Sequence, residues 1–299
     1  MPCYHPRNAG FDREGRITFS EKRVSQERPT FKLPCGKCIG CRLERSREWA
    51  VRCVHESEMH SSNIFITLTY SPETLPKTKE GLPTLFHEDF QLFMKRLRKK
   101  FADSENQIGF FMCGEYGETH GRPHYHACLF GVDFADKEIT RKSHDNFTCY
   151  TSETLNELWG KGRTEIGSVT FESAAYIARY VTKKITGDSA PEHYQGRLPE
   201  YGKTSKKYAI GKKWLEKYWT DVFNYNELII RGGVRSKIPR YYVKWIEKNQ
   251  FDTWVKYKTR DLSMLDTWEY RNENSTQRLR VKKYIKQQKI KTLTRKFEA

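Results

Sequence analysis

Gly121-Arg122-Pro123-His124-Tyr125-His126-Ala127-Cys128-Leu129-Phe130 decides how this chain is read. The stretch is apolar and strand-like behind a Gly-Arg-Pro turn. Side chains alternate faces along a strand, so His124 and His126 point the same way. Ala127, Cys128, Leu129 and Phe130 supply the buried body of the strand. Two imidazoles on one face of a rigid strand make half of a divalent metal site, where a single histidine would read as solvated surface. The remaining question is whether the chain also supplies a third ligand, a nucleophile and a polyanionic substrate.

Upstream, Ile108 to Gly114 reads as a second strand, and Glu115 to Gly121 as turn-like, so the simplest topology is an antiparallel hairpin. Glu115 and Glu118 are the carboxylates within that hairpin, and Glu115 stays nearer the strand end. Glu115 is the expected third ligand, although either could be a solvated turn residue. Imidazole and carboxylate donors with open water positions suit Mg²⁺ or Mn²⁺ and leave room for a phosphate oxygen.

The rest of the pattern builds around this hairpin. Arg42 to His60 is helical, Asn63 to Tyr70 is a strand ended by Ser71-Pro72, and Phe90 to Phe101 is a helix, apolar inside and basic outside. A short helix near Ser152 to Trp159 follows, then a strand from Ile166 to Phe171 and a helix from about Glu172 to Ile185. This order predicts an α+β fold: a central antiparallel sheet with helices on one face. Residues 1–41 read as an irregular, Arg-rich arm ending in a cysteine cluster, 42–188 as the main domain, and 189–299 as a mainly helical basic region. Helices are expected near Lys213 to Phe223 and after Pro239.

Lys and Arg total 54 against 37 Asp and Glu, a formal charge of +17. That surplus implies a polyanionic partner, nucleic acid first and an anionic membrane surface second. No apolar run is long enough to span a bilayer, and the first residues lack the apolar core of a signal peptide. With 17 Tyr, 17 Phe and 7 Trp, the chain reads as folded, soluble and intracellular. Five of its eight cysteines are scattered, and three form Cys35-Gly36-Lys37-Cys38-Ile39-Gly40-Cys41. That spacing suits metal in a reducing compartment. Three ligands are one short of a closed zinc site; Cys3, followed by His5, is one candidate for the fourth, and Cys53 and His55 are others. A zinc there would be structural; reduced cysteines at a helix start are the plainer alternative.

Nucleophiles come from Ala174-Ala175-Tyr176-Ile177-Ala178-Arg179-Tyr180-Val181-Thr182-Lys183-Lys184. Tyr176 and Tyr180, four apart, share a helix face, with Lys183 and Lys184 one turn beyond Tyr180. A nearby cation favours phenolate over phenol. Alone, the motif is an ordinary amphipathic helix. A Thr67/Thr69 strand, a His-x-His strand and a paired-tyrosine helix, in that order, resemble the three motifs of the HUH endonucleases, the rolling-circle initiators and relaxases. Cys35-x-x-Cys38-x-x-Cys41-Arg42-Leu43-Glu44-Arg45-Ser46-Arg47, Thr67-Leu68-Thr69-Tyr70, the Gly121 to His126 block and Tyr176-Ile177-Ala178-Arg179-Tyr180 are similar to the initiators of gokushovirus-type single-stranded DNA phages, over about residues 35–185.

The resemblance implies a two-tyrosine mechanism. One tyrosine attacks the origin phosphodiester and becomes joined to the 5′ phosphate, freeing a 3′-OH that primes host polymerase. The second attacks the regenerated junction, and the freed 3′-OH closes the circle. Thr67 and Thr69 are expected to support the sheet. No phosphate loop of the helicase type is present, so a host helicase is implied, and the host cytoplasm is the implied location. Lys203, Lys206, Lys207, Lys212, Lys213 and the basic tail would add phosphate contacts. Tyr241, Tyr242 and Trp245 read as the core of a small helical domain before they read as base-stacking groups. A non-catalytic basic nucleic-acid-binding protein has no reason to carry the ordered motifs, and an HUH transposase or relaxase fits the tyrosine pair less well.

Overall fold

The computed structural model describes residues 3–27, 30–102, 107–117, 121–142, 148–180, 184–185, 187–206, 209–230, 233–265 and 267–291. Two units are distinguished: Met1–Arg45 with Trp245–Ala299, and Ser46–Lys244.

The first unit begins with strands β1 (Arg7–Phe11), β2 (Ile17–Thr18) and β3 (Phe31–Leu33), an antiparallel sheet of order β2-β1-β3. The expectation of an irregular arm is therefore corrected. The strands are too short for periodicity to show, and their turn is local. Asp12 Oδ1 accepts from the Arg16 amide at 2.8 Å, while the Asp12 amide donates to the Arg16 carbonyl. Helix α1 (Ile39–Ser57) starts at the cysteine cluster.

The Ser46–Lys244 unit holds β4 (Asn63–Thr69), α2 (His87–Lys100), β5 (Gly109–Tyr116), β6 (Pro123–Phe130), β7 (Glu138–Lys142), β8 (Thr148–Thr151), α3 (Glu153–Trp159), β9 (Thr164–Gly167), α4 (Phe171–Tyr180), α5 (Ala190–Tyr194), β10 (Tyr201–Thr204), α6 (Lys212–Asn224), β11 (Leu228–Ile230) and β12 (Val234–Ser236). Helix α7 (Arg240–Asn249) follows, then α8 (Phe251–Leu265), α9 (Trp268–Glu273) and α10 (Thr276–Lys291). Seven strands form one antiparallel sheet of order β10-β5-β6-β4-β9-β8-β7. The hairpin expected from sequence is β5–β6, and β4 lies on the other side of β6.

On one face, Ile64, Ile66, Leu68, Met112, Tyr125, Ala127 and Leu129 meet Phe90, Phe93, Met94 and Leu97 of α2 and Trp159 of α3. Each fully buried side chain of this kind contributes about 1.5–3 kcal/mol. The α3 end is tied to β4 by Trp159 Nε1, which donates to the Thr69 carbonyl at 2.6 Å. On the other face, Trp49 of α1 stacks on Phe111 with ring centroids 4.7 Å apart, and Ser46 Oγ donates to the Ala175 carbonyl of α4. The class is thus α+β with a large antiparallel sheet, and its helices lie on both faces instead of one. Every β6 residue from Tyr125 to Phe130 is buried, which needs cover above and below.

The boundary expected at 188 falls inside this unit, because β10 pairs with β5 as an edge strand. The strand expected at 166–171 lies at Thr164–Gly167, and Phe171 already begins α4. Tyr242 is fully buried, with its hydroxyl 2.8 Å from His55 Nδ1, so it is core of the Ser46–Lys244 unit and not of a small helical domain of its own.

Candidate metal centre

The β4–β6 and β5–β6 registers set the site. His124 lies opposite Glu115 on one side and Thr69 on the other; His126 lies between Cys113 and Thr67. Directly opposed side chains on neighbouring strands are close enough to touch. Glu115, expected as the first residue of the turn, proves to be a strand residue, because the ladder runs on to Tyr116↔Pro123. Glu118 lies outside the described residues.

Glu115 Oε1 is 3.0 Å from His124 Nε2 and 2.9 Å from His126 Nε2. Cis donors around an octahedral Mg²⁺, each about 2.1 Å from the ion, are about 3 Å apart. Hydrogen bonding to the far ring nitrogens sharpens the picture. His124 Nδ1 is 3.0 Å from the Arg122 carbonyl and must donate to it, which leaves Nε2 of the neutral ring with only a lone pair. His126 Nδ1 is 2.9 Å from Thr67 Oγ1. Burial lowers the His126 pKa and so favours the neutral ring, against the opposing pull of Glu115. Burial pushes the Glu115 carboxyl up, but with the Nε2 atoms protonated, hydrogen bonds and charge from the two histidines outweigh it and hold it below the usual range; an ion at the same place would take over that role from the protons. Glu115 is 1% exposed, and its Oε2 has no hydrogen-bond partner among the described residues. Lone pairs gathered on a buried carboxylate with an unmet oxygen fit a divalent cation.

Helix α4 brings Tyr176 to this centre. Its hydroxyl is 3.5 Å from Glu115 Oε1, and its ring meets His126 edge to face at 5.0 Å. Tyr180 is the last residue of α4, one turn on, and its side chain is outside the described atoms. Lys183 is likewise outside the described residues. Lys184 is exposed and not helical, so the described structure does not continue the helix to it. Two contributions were missed from sequence: Thr67 as the partner of His126, and the Arg122 backbone as the partner of His124. The alternation that puts Thr67 beside His126 was legible once the strand order was known.

The second donor set is Cys3, Cys35, Cys38 and Cys41, whose sulfurs lie within 4.8 Å of one another. All four are free thiols. Of the three candidates for the fourth position, the structure brings Cys3. Cys53 is fully buried outside the cluster, and His55 is stacked on Trp214 at 3.5 Å. Burial pushes the Cys38 thiol up, but amide and thiol hydrogen bonds more than offset it and bring its pKa to about 6.

A sequence model of the replication-associated protein ORF2/G2P family matches residues 63–185, from β4 through the tyrosine helix. The replication-associated protein VP4 of Bdellovibrio phage phiMH2K is 40% identical over 264 residues, covering 86% of this chain and 81% of that protein. The chain belongs to this family of phage replication-associated proteins. It is similar also to replication-associated protein ORF2 of Spiroplasma virus 4, at 36% identity over 74% of this chain and 69% of the relative. Replication-associated protein ORF4 of Chlamydia phage 1 is 30% identical over 75% of this chain and 57% of its own length. The resemblance to gokushovirus-type proteins is therefore shown. No solved structure matches. Among the described residues no helix is long and apolar enough to cross a membrane.

Proposed function

We propose that this protein initiates rolling-circle replication as a strand-specific DNA endonuclease and strand transferase of the two-tyrosine HUH type. The observation that carries this reading is the Tyr176 hydroxyl at 3.5 Å from Glu115 Oε1, the carboxylate that both histidines face. Mg²⁺ or Mn²⁺ held by Glu115, His124 and His126 would polarise the scissile phosphate and neutralise the charge that develops on it.

The chain's own groups account for the rest. The sheet fixes Glu115 and both rings before DNA arrives, so little reorganisation is left for the reaction. Tyr176 or Tyr180 supplies the phenolate oxygen that bonds to phosphorus as the bond to the 3′ oxygen breaks. The departing oxygen takes a proton and becomes the 3′-OH primer. Energy kept in the phosphotyrosine lets a later 3′-OH reverse the step and seal the strand. Glu115 Oε1 orients the Tyr176 hydroxyl, while Lys183 and Lys184 are assigned to phosphate neutralisation. The formal charge of +17 favours DNA binding that weakens as salt rises. Host polymerase and helicase would complete the reaction in the bacterial cytoplasm.

Incubation with single-stranded origin DNA and Mg²⁺ or Mn²⁺ tests this on a denaturing gel. Wild type should form a covalent protein–DNA adduct, and Tyr176→Phe/Tyr180→Phe should form none. An adduct from the double variant, or none from wild type, would overturn the mechanism. The single variants Tyr176→Phe and Tyr180→Phe then rank the two nucleophiles.

A further inference from the structure

The nuclease chemistry leaves the cysteine cluster unused. Cys35 and Cys38 lie just before α1 and Cys41 in its first turn, while Cys3 arrives from the arm, 32 residues before Cys35. The Cys38 and Cys3 sulfurs are 3.9 Å apart. A disulfide would hold two sulfurs about 2.05 Å apart. Thiolates around one tetrahedral zinc, at about 2.3 Å each, are about 3.8 Å apart.

Backbone amides are turned onto the sulfurs. The Cys35 amide donates to Cys3 Sγ at 3.2 Å, the Cys38 amide to Cys35 Sγ at 3.3 Å and the Tyr4 amide to Cys38 Sγ at 3.4 Å. Such donors stabilise the charge of a thiolate and orient it as the outer partners of a metal ligand do. Neutral thiols gain much less from them.

The surroundings explain why an ion would be needed. Among the described residues of this unit, the buried apolar side chains are Tyr4, Ala9, Ile246 and Leu279. The three strands of the arm have two to five residues each. Two such strands, or three with this little apolar cover, do not bury enough surface to offset the ordering of the backbone. Small units in this position usually recruit a metal or a disulfide.

We infer that Cys3, Cys35, Cys38 and Cys41 bind one Zn²⁺ as a closed tetrathiolate, and that this ion, in place of an apolar core, orders the arm. Four thiol protons leave as the ion binds, so the filled site carries a net charge of −2. All four positions are taken by protein, which excludes substrate and confines the zinc to a structural task. The role is separate from the Glu115–His124–His126 centre, and its failure would leave the nuclease reading standing.

The test uses full-length protein purified under reducing conditions. Elemental analysis should find roughly one zinc per chain, and the stripped protein should take up Co²⁺ with the intense thiolate charge-transfer and tetrahedral bands. Cys38→Ser and Cys3→Ser should each lose the zinc, while Cys149→Ser and His124→Ala should keep it. Stripping the wild type should expose Arg7, Arg13 and Arg16 to trypsin, and zinc, not Mg²⁺, should restore protection. This arm of the experiment needs no variant to fold. Protein with neither zinc nor a cobalt–thiolate spectrum overturns the proposal. So does zinc retained in Cys38→Ser, zinc lost from His124→Ala, or trypsin protection indifferent to the metal.

Discussion

Glu115, His124 and His126 stand on two adjacent, largely buried strands, fixed by a ladder that continues past them in both directions. Cys3, Cys35, Cys38 and Cys41 converge from an arm, a loop and a helix start, in a unit with few buried apolar residues. The first set is hard: three nitrogen and oxygen donors about 3 Å apart, which around an octahedral ion would leave positions for water and phosphate. The second is soft and closed: sulfur donors near the edge length of a zinc tetrahedron. On the proposed reading, the fold positions the ligands of the first set and an ion would add reactivity, whereas in the second an ion would position the fold. Loss of metal should therefore do opposite things at the two places.

The largest effect should come from breaking the open set. His124→Ala and His126→Ala should each lower origin cleavage by roughly 10³-fold or more, since an ion that stabilises phosphoryl charge is worth several kcal/mol. Thermal unfolding should barely change for His124→Ala, whose ring is already partly exposed. Initial cleavage rates and a melting curve on the same preparation check both halves. A variant that melts early and regains activity on stabilisation would make the pair structural and dissolve the contrast.

Breaking the closed set should invert the pattern. Cys38→Ser should cost a few kcal/mol in the stability of the arm, because metal-binding energy there is folding energy. Magnesium affinity at Glu115–His124–His126 should be unchanged. Hydrogen exchange over residues 3–41 reads the first, and Mn²⁺ titration the second. Brief treatment with a chelator should sharpen this further: cleavage stops at once and returns with Mg²⁺, while zinc in a closed tetrathiolate leaves slowly. If Mg²⁺ also restored a collapsed arm, the two sites would not be chemically distinct.

How much of this was legible in the sequence differs between the sites for a physical reason. His124 and His126 could be read because alternation along an apolar strand is a strong local signal, and the strand's partner lay nearby in the chain. Glu115 followed from the hairpin, although its last rungs looked like turn. Cys3 was only one of several choices, since nothing local fixes which distant residue completes a cluster. The β1–β3 sheet escaped because its strands are too short for a period to show. Strand β10, Tyr-Gly-Lys-Thr, escaped because an edge strand with two exposed residues has no apolar alternation to display. It joins a sheet partner nearly 90 positions earlier, as in Tyr201↔Gly114. Helices on both faces were missed because the order of elements along the chain does not say on which side of the sheet each helix packs.

The smallest effect concerns the two threonines of β4, which sequence reading treated alike. They face the same side of the strand, beside His126 and His124 respectively. Thr67 Oγ1 reaches His126 Nδ1 at 2.9 Å, whereas Thr69 Oγ1 donates to the Arg163 carbonyl at 2.8 Å. Only Thr67 therefore bonds a histidine ring, and by accepting from Nδ1–H it supports the tautomer whose Nε2 lone pair is free for an ion. Thr67→Val keeps the shape and the strand preference but removes that hydrogen bond, so metal affinity should fall about 10- to 100-fold. Cleavage should fall at limiting Mn²⁺ and recover at saturating Mn²⁺, which separates a positioning role from a general loss of structure. Thr69→Val should leave the metal dependence where it was, since the Arg163 carbonyl it abandons is also bonded by the Thr69 amide at 2.9 Å. Equal effects from the two variants would mean that the open set does not depend on its outer partner, and that the sheet alone orients His126.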